Sequence, residues 1–103
     1  MNPKDTISVH YSQLDKLLEH RSRLAICSLL VKYEQISFRR FKELLAETDG
    51  NLGAQLRKLE DAGYIVVSKD YEGRKPISWY AVTDVGRNAL LTHIKALKGL
   101  TEL

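Results

Sequence analysis

Between residues 49 and 90 the apolar repeat changes twice, from helical to strand-like and back to helical. Leu52, Leu56 and Leu59 recur at helical spacing, which places them within roughly 60° of one another on one helix face. Gly63 follows as the glycine that commonly ends a helix. Two runs of β-branched and aromatic residues then flank the turn-rich segment DYEGRKP, a pattern typical of a β-hairpin. Few small folds contain a helix, a hairpin and a closing helix in this order.

Polar caps and apolar stripes divide the rest of the chain. Ser37 and Thr83 precede apolar stripes and are predicted to cap helices. The most apolar segment surrounds Cys27, and it is predicted to form a central buried helix. Ile36 is predicted to be a short strand residue or a bridge. The predicted elements are helices over about 12–20, 23–34, 38–47 and 50–62, strands over 64–69 and 77–82, and a helix over 84–98.

The predicted order α-α-α-α-β-β-α describes a winged helix-turn-helix, a mainly α fold with a small β-hairpin in the α+β class. A chain of 103 residues favours one domain. Residues 1–10 are expected to form a flexible leader. Residues 11–103 are expected to form the winged-helix DNA-binding domain, with its first and last helices at a dimer interface.

The charge and the single cysteine limit the function classes. The formal net charge is +3, with a sequence pI of about 9.1, which permits a nucleic-acid partner without requiring one. No apolar run approaches the ~20 residues of a membrane span, and the first residues do not resemble a signal peptide. A single cysteine cannot form an internal disulfide. These observations predict a cytoplasmic protein with no membrane partner.

Four segments together resemble a known family. They are SRLAICSLL from Ser22, LRKLEDAGYI from Leu56, the basic turn EGRKP, and YAVTDVGRNAL from Tyr80. The chain resembles compact winged-helix transcriptional regulators of the MarR/ArsR-like group. The resemblance implies a homodimeric regulator that binds double-stranded DNA. This chain is shorter than typical MarR proteins, and its single cysteine leaves out the thiolate metal site of ArsR-type sensors.

The fourth predicted helix is the candidate recognition helix. Its outward residues are small or polar, as entry into the major groove requires. Asparagine and glutamine can pair with adenine, and arginine or lysine with guanine or phosphate. Gln55 lies nearer the core flank than the others. The candidate DNA-binding residues on this helix are Asn51, Gly53, Ala54, Gln55, Arg57 and Lys58.

Further basic residues suit contacts with the DNA backbone. Arg39 and Arg40 begin the preceding helix, and Arg74 and Lys75 lie at the tip of the hairpin, which forms the wing. A wing commonly follows phosphates or places an arginine in the minor groove. The alternative for each of these cations is an ordinary solvated surface. Glu60 is expected to form a structural ion pair near the wing.

The sequence offers no site for catalysis or for a metal. It contains no nucleophile–base set, glycine-rich phosphate loop or paired catalytic carboxylates, so we expect no enzyme and no cofactor. His10, His20 and His93 lack metal-ligand spacing and are expected at the surface or at an interface. Cys27 is expected to be a buried, inert thiol. No residue pattern identifies a small-molecule effector.

Leftover apolar residues on the first and last helices predict a two-fold homodimer, which would bury them. The candidate interface residues are Leu14, Leu17, Leu18, Leu91, Ile94 and Leu97. Such a dimer would place two recognition helices about 34 Å apart on a pseudo-palindromic promoter site, as a repressor would need. The alternative is packing of the same residues within one chain. The alternative function is a winged-helix protein–protein interaction module in a larger assembly, because the fold alone does not decide between the two.

Overall fold

The computed structural model describes residues 3–102, with side chains from Thr6 onward. The described elements are α1 (Pro3–Ser12), a 3₁₀ helix (Lys16–Glu19), α2 (Arg21–Lys32), β1 (Ile36–Ser37), α3 (Phe38–Leu45), α4 (Asp49–Asp61), β2 (Ile65–Glu72), β3 (Lys75–Val82) and α5 (Asp84–Thr101). Five helices and a three-stranded antiparallel sheet form a winged helix, as the sequence predicts. Residues 1, 2 and 103 lie outside the described part.

The amino-terminal predictions need correction. Residues 3–12 form a helix where a flexible leader is predicted, and the helix predicted over 12–20 is only a 3₁₀ turn. The side chain of Asp15 caps that turn by accepting a hydrogen bond from a backbone N–H two residues later. α1 packs along α5, where the ring of His10 covers Gly99 so closely that a Cβ on the glycine would lie 2.2 Å from it. This tertiary contact, rather than local sequence, supports α1.

The later helices agree with the prediction to within a few residues. Ser37, Thr48 and Thr83 cap α3, α4 and α5 by accepting hydrogen bonds from backbone N–H groups of the first turns. α2 starts earlier than predicted, because the side chain of His20 caps it by accepting from the backbone N–H of Ser22.

The core lies between α2, α3, α4 and the base of the sheet. Its buried apolar residues are Leu18, Ile26, Cys27, Leu30, Ile36, Phe41, Leu52, Leu56, Leu59, Ile65 and Leu90. Cys27 is buried as predicted, and its pKa is raised to about 12 by burial and then by the negative charge of Asp15. Its thiol is therefore protonated and unreactive at neutral pH. Leu18 is fully buried, so its prediction as a dimer-interface residue is wrong.

The sheet has the order β1-β3-β2, and the predicted strand residue Ile36 pairs with Tyr80. The hairpin of β2 and β3, which we call the wing, is longer than predicted. Its turn consists of Gly73 and Arg74, with Gly73 at φ 64°, a backbone conformation that favours glycine. Lys75 pairs with Glu72 across the strands, so this lysine belongs to β3 rather than to the turn.

A tight junction joins α4, β2 and α5. Gly63 ends α4 with φ 78°, as the sequence predicts. The hydroxyl of Thr83 donates to the carbonyl oxygens of Gly63 and Tyr64, and its backbone N–H also donates to Tyr64. Gly86 lies against the same carbonyl, and a Cβ at Gly86 would be 2.1 Å from the Tyr64 oxygen. The start of α5 is therefore held directly against the end of α4.

His93 is buried on α5, contrary to the prediction of a surface or interface position. Its Nδ1 accepts a hydrogen bond of 2.9 Å from the backbone N–H of Asp15. The hydroxyl of Tyr64 donates to the Asp15 carboxylate, and burial, this bond and the Asp15 charge raise the pKa of Tyr64 to about 12.

Within residues 3–102 no group of three or more metal-ligating side chains could hold an ion. None of the helices described there is long and apolar enough to cross a membrane.

Candidate nucleic-acid interface

The outer face of α4 is open to solvent. Leu52 and its apolar neighbours at helical spacing are buried, and this orients the helix. The opposite face carries Gly50, Ala54, Arg57 and Asp61, all of them exposed. This arrangement agrees with the predicted orientation of the helix. This face carries small residues near the start of the helix and a cationic residue further along, as a helix entering a major groove requires.

Two glycines on α4 border open space within the described part of the chain. A Cβ at Gly50 or at Gly53 would meet no heavy atom within 4 Å. A glycine inside a helix costs about 0.5–1 kcal/mol relative to alanine. The space beside both glycines is therefore available to a partner that approaches the helix backbone.

Gln55 does not belong to this open face. It is only 6% exposed, its Oε1 accepts a 2.6 Å hydrogen bond from Nη1 of Arg23, and its Nε2 donates to Oδ1 of Asn51. Gln55 is predicted to bind DNA, but its side chain is buried and hydrogen-bonded within the protein, so it is not available for that contact. Asn51 is half-buried, and its Nδ2 donates to Oε2 of Glu47 at 2.5 Å. Its amide is thus engaged within the chain, although the sequence predicts it to face DNA.

A groove of about 290 Å³ separates α4 from the wing. Gly53, Arg57 and Glu60 line it from the helix, and Lys69 and Tyr80 line it from the sheet. The pKa of Tyr80 is raised mainly by burial and next by the charge of Glu60, while the nearby charge of Arg57 acts in the opposite direction. The ion pair predicted for Glu60 is not among those formed by residues 3–102.

Lys69 is a cation of this groove that the sequence pattern did not identify. Its Nζ donates to Oγ of Ser78, its partner across the hairpin, at 2.8 Å. Neither Lys69 nor Arg57 takes part in the ion pairs of the described chain. The alternation of side chains along β2 could have identified it, because Val67 and Lys69 lie on the same face of the strand and both line the groove.

The basic residues of α3 have acidic partners. Arg39 and Arg40 each pair with Glu43, at 3.6 and 3.1 Å, and Lys42 pairs with Asp49 at 2.7 Å. The side chains of both arginines remain mostly exposed. Because such surface pairs contribute only about 0–1 kcal/mol, they can be exchanged for contacts with another anion.

A second groove, of about 380 Å³, lies between the start of α3 and the wing. Arg39 lines it from α3 and Lys75 from the wing, with Phe38 and Trp79 among its apolar walls. Arg74 is exposed at the tip of the wing. Of the predicted cations, Arg39 and Lys75 line the second groove and Arg57 lines the first. Arg40 lines a different depression, and Arg74 and Lys58 are exposed outside these two grooves.

The comparisons with known proteins agree with this fold. A sequence model described as "Winged helix DNA-binding domain" matches residues 22–101. MJ0432, an uncharacterized protein of Methanocaldococcus jannaschii, is 31% identical over 87 residues, which cover 84% of this chain and 95% of that protein. The structure of a transcriptional regulator homologue from Pyrococcus horikoshii superposes with a TM-score of 0.82 at 23% identity, covering 95% of each chain. Bacillus subtilis PadR, solved in complex with operator DNA, superposes with a TM-score of 0.65 at 23% identity over 73% of this chain and 47% of that one.

The chain belongs to the winged helix DNA-binding domain family, because the match covers most of its length. The superpositions show that its fold is the one seen in transcriptional regulators.

Proposed function

We propose that this protein is a cytoplasmic, homodimeric transcriptional repressor that reads a pseudo-palindromic promoter site in double-stranded DNA. The observation that carries the proposal is the open outer face of α4, with one cation-lined groove between α4 and the wing and a second between α3 and the wing. The family assignment supports DNA binding, and the sequence resemblance to MarR/ArsR-like regulators supports a repressor. No small-molecule effector is part of the proposal.

α4 enters the major groove with its open face. Gly50, Gly53 and Ala54 allow base edges or backbone to approach closely, and Arg57 and Lys58 donate to guanine or to phosphate. Asn51 and Gln55 are excluded from the base contacts in this proposal, because both side chains are held within the protein.

The wing and α3 bind the DNA backbone on either side of α4. Lys69, Arg74 and Lys75 contribute three positive charges from the wing, and none of them forms an ion pair among residues 3–102. Arg39 and Arg40 exchange Glu43 for phosphate. Each phosphate contact releases counterions, and binding therefore weakens as the salt concentration rises.

Two copies associate through α1 and α5. The molecule measures 61 × 24 × 21 Å, so it is much longer than it is wide. The large apolar side chains exposed on these two helices are Ile7, Val9, Tyr11, Val85, Leu91 and Leu97. Leu14, Leu17 and Ile94 are half-buried and can contribute only their outer edges. A two-fold dimer buries this surface and sets two α4 helices about one DNA turn apart.

The rival function, a protein-interaction module, predicts an apolar outer face on α4. That face instead carries glycine, alanine, arginine and aspartate. The exposed apolar residues lie mainly on α1 and α5, where the dimer accounts for them.

Removing the wing charges tests the backbone contacts. The triple variant Lys69→Ala, Arg74→Ala and Lys75→Ala is expected to weaken binding to all duplexes alike. The slope of log affinity against log salt should flatten by about 0.9 for each phosphate that the variant no longer binds. Fluorescence anisotropy across a salt series measures the slope. Lys16→Ala, Arg21→Ala and Lys32→Ala remove the same charge from exposed sites outside α4, the wing and α5, and they serve as the control. Equal slopes in the two triple variants would show that the wing stays in solvent.

The dimer is tested on α5. Leu91→Glu combined with Leu97→Glu is expected to produce a monomer at micromolar concentration, since it places two carboxylates in an apolar interface. Sedimentation velocity measures the mass. Val66→Glu on β2 changes a side chain of similar exposure elsewhere and should leave the dimer intact. A dimer that persists in the double variant would refute this interface.

A further inference from the structure

A continuous series of hydrogen bonds connects α5 to the start of α4. It begins at His93 on α5, whose Nδ1 accepts from the backbone N–H of Asp15. The Asp15 carboxylate accepts from the backbone N–H of Leu17, at 2.9 Å, and from the hydroxyl of Tyr64. The 3₁₀ turn before α2 is thereby attached to α5 and to the end of α4.

Arg23 on α2 carries this series across to α4. Its Nε donates to the carbonyl oxygen of Leu17 at 2.6 Å, and its Nη1 donates to Oε1 of Gln55, also at 2.6 Å. One rigid guanidinium therefore joins the 3₁₀ turn to the recognition helix. The Arg23–Gln55 contact spans 32 positions in sequence.

The series continues along one flank of α4. Gln55 donates to Asn51, Asn51 donates to Glu47, and the hydroxyl of Ser22 donates to the other Glu47 oxygen at 2.6 Å. The hydrogen bonds from Ser22 and Asn51 lower the pKa of Glu47, so the carboxylate is ionised at neutral pH. The first two turns of α4 are thus tied to α2 at both ends of the flank.

We propose that Arg23 is a positioning residue for DNA reading: it fixes the rotation of α4 about its own axis relative to α2 and α5. This inference rests on the proposed function, since it assigns how the recognition helix is held. The sequence suggests Asn51 and Gln55 as residues that contact bases. In this proposal both residues instead help Arg23 to hold α4 in place.

The physical reason is the difference between apolar and polar contacts. Leu52, Leu56 and Leu59 attach α4 to the core, but apolar burial is not directional and allows small rotations. Hydrogen bonds from a planar guanidinium are directional. Base-edge contacts need donors placed to within about 0.5 Å, so a rotation of α4 affects base reading more than phosphate binding.

The test is Arg23→Lys in the full chain. Lysine keeps the charge, but its single ammonium group cannot occupy the positions of both Nε and Nη1, from which Arg23 donates its two hydrogen bonds. Amide hydrogen exchange over residues 51–55 should become about tenfold faster, as expected from the loss of one charged hydrogen bond. The second readout compares two duplexes: one that the wild-type protein enriches from a random pool, and a scrambled version of it. The ratio of the two affinities should fall about tenfold, and the slope of log affinity against log salt should not change. Gln55→Met interrupts the same series from α4 and should give both effects.

Arg21→Lys is the matched control, because Arg21 is an exposed neighbour on the same helix. It should change neither readout. Unchanged exchange over residues 51–55 in both Arg23→Lys and Gln55→Met would overturn the inference, as would an unchanged affinity ratio in variants that still bind DNA. If the wild-type protein binds no duplex, the proposed function fails, and hydrogen exchange alone then decides whether Arg23 positions α4.

Discussion

Gly86→Ala is expected to lower the free energy of unfolding by about 3 kcal/mol, a large fraction of the stability of a domain of this size. The alanine Cβ would lie 2.1 Å from the carbonyl oxygen and 2.8 Å from the carbonyl carbon of Tyr64. These are backbone atoms, so no side-chain rotation can relieve the collision. The same carbonyl accepts two hydrogen bonds from Thr83, and moving it would disturb the start of α5 as well.

Chemical denaturation of Gly86→Ala against wild type measures this loss. Gly50→Ala is the matched control, because its Cβ would meet nothing within 4 Å and alanine favours a helix. The control should unfold at the same or a higher denaturant concentration. If both variants were equally stable, the close packing of α5 against the end of α4 would be wrong.

Gly53→Glu is expected to separate folding from DNA binding. Glutamate favours a helix over glycine by about 0.5–1 kcal/mol, and the position faces open space, so stability should not fall. The new carboxylate would lie in the groove between Arg57 and Lys69. At about 4 Å from a phosphate it would oppose binding by up to ~4 kcal/mol, which corresponds to a loss of affinity of about 100- to 1,000-fold.

Thermal unfolding and anisotropy on the same samples test this second prediction. Ser28→Glu adds the same charge at an exposed position on α2 and should retain affinity within a few-fold. Gly53→Ala should give a smaller loss of affinity with a small gain in stability. Wild-type affinity in Gly53→Glu would mean that DNA does not enter the groove between α4 and the wing.

The central part of the fold could be predicted from the sequence because its signals are local. Ser37 and Thr83 cap helices through bonds to residues three positions away, and Gly63 ends α4 by its own backbone conformation. The apolar spacing of α4 identifies its buried face, and therefore also its exposed face.

The amino-terminal region could not be predicted because its order comes from distant contacts. α1 is a mainly polar helix that depends on α5, through the approach of His10 to Gly99. Asp15 and His93 are 78 positions apart in sequence, yet their hydrogen bond fixes the turn that buries Leu18. No local pattern reports such a pairing.

The candidate site was predicted in outline and corrected in detail for the same reason. Exposure of Arg57 follows from helix periodicity alone, whereas the hydrogen bond that holds Gln55 comes from Arg23 on another helix. Lys69 enters the groove because the register of the hairpin places it opposite Ser78. Register depends on the whole hairpin, and a residue count cannot provide it.

Binding-site selection from a randomised duplex pool, at low salt and with the wild-type protein, tests the central claim most directly. A two-fold dimer that reads DNA through α4 should enrich an inverted repeat whose half-site centres lie about 10 base pairs apart. Anisotropy on the enriched duplex should then show an affinity that falls as salt rises. A pool that remains random after repeated selection, with no duplex bound at low salt, would contradict the assignment of α4 and the wing as a DNA-reading surface.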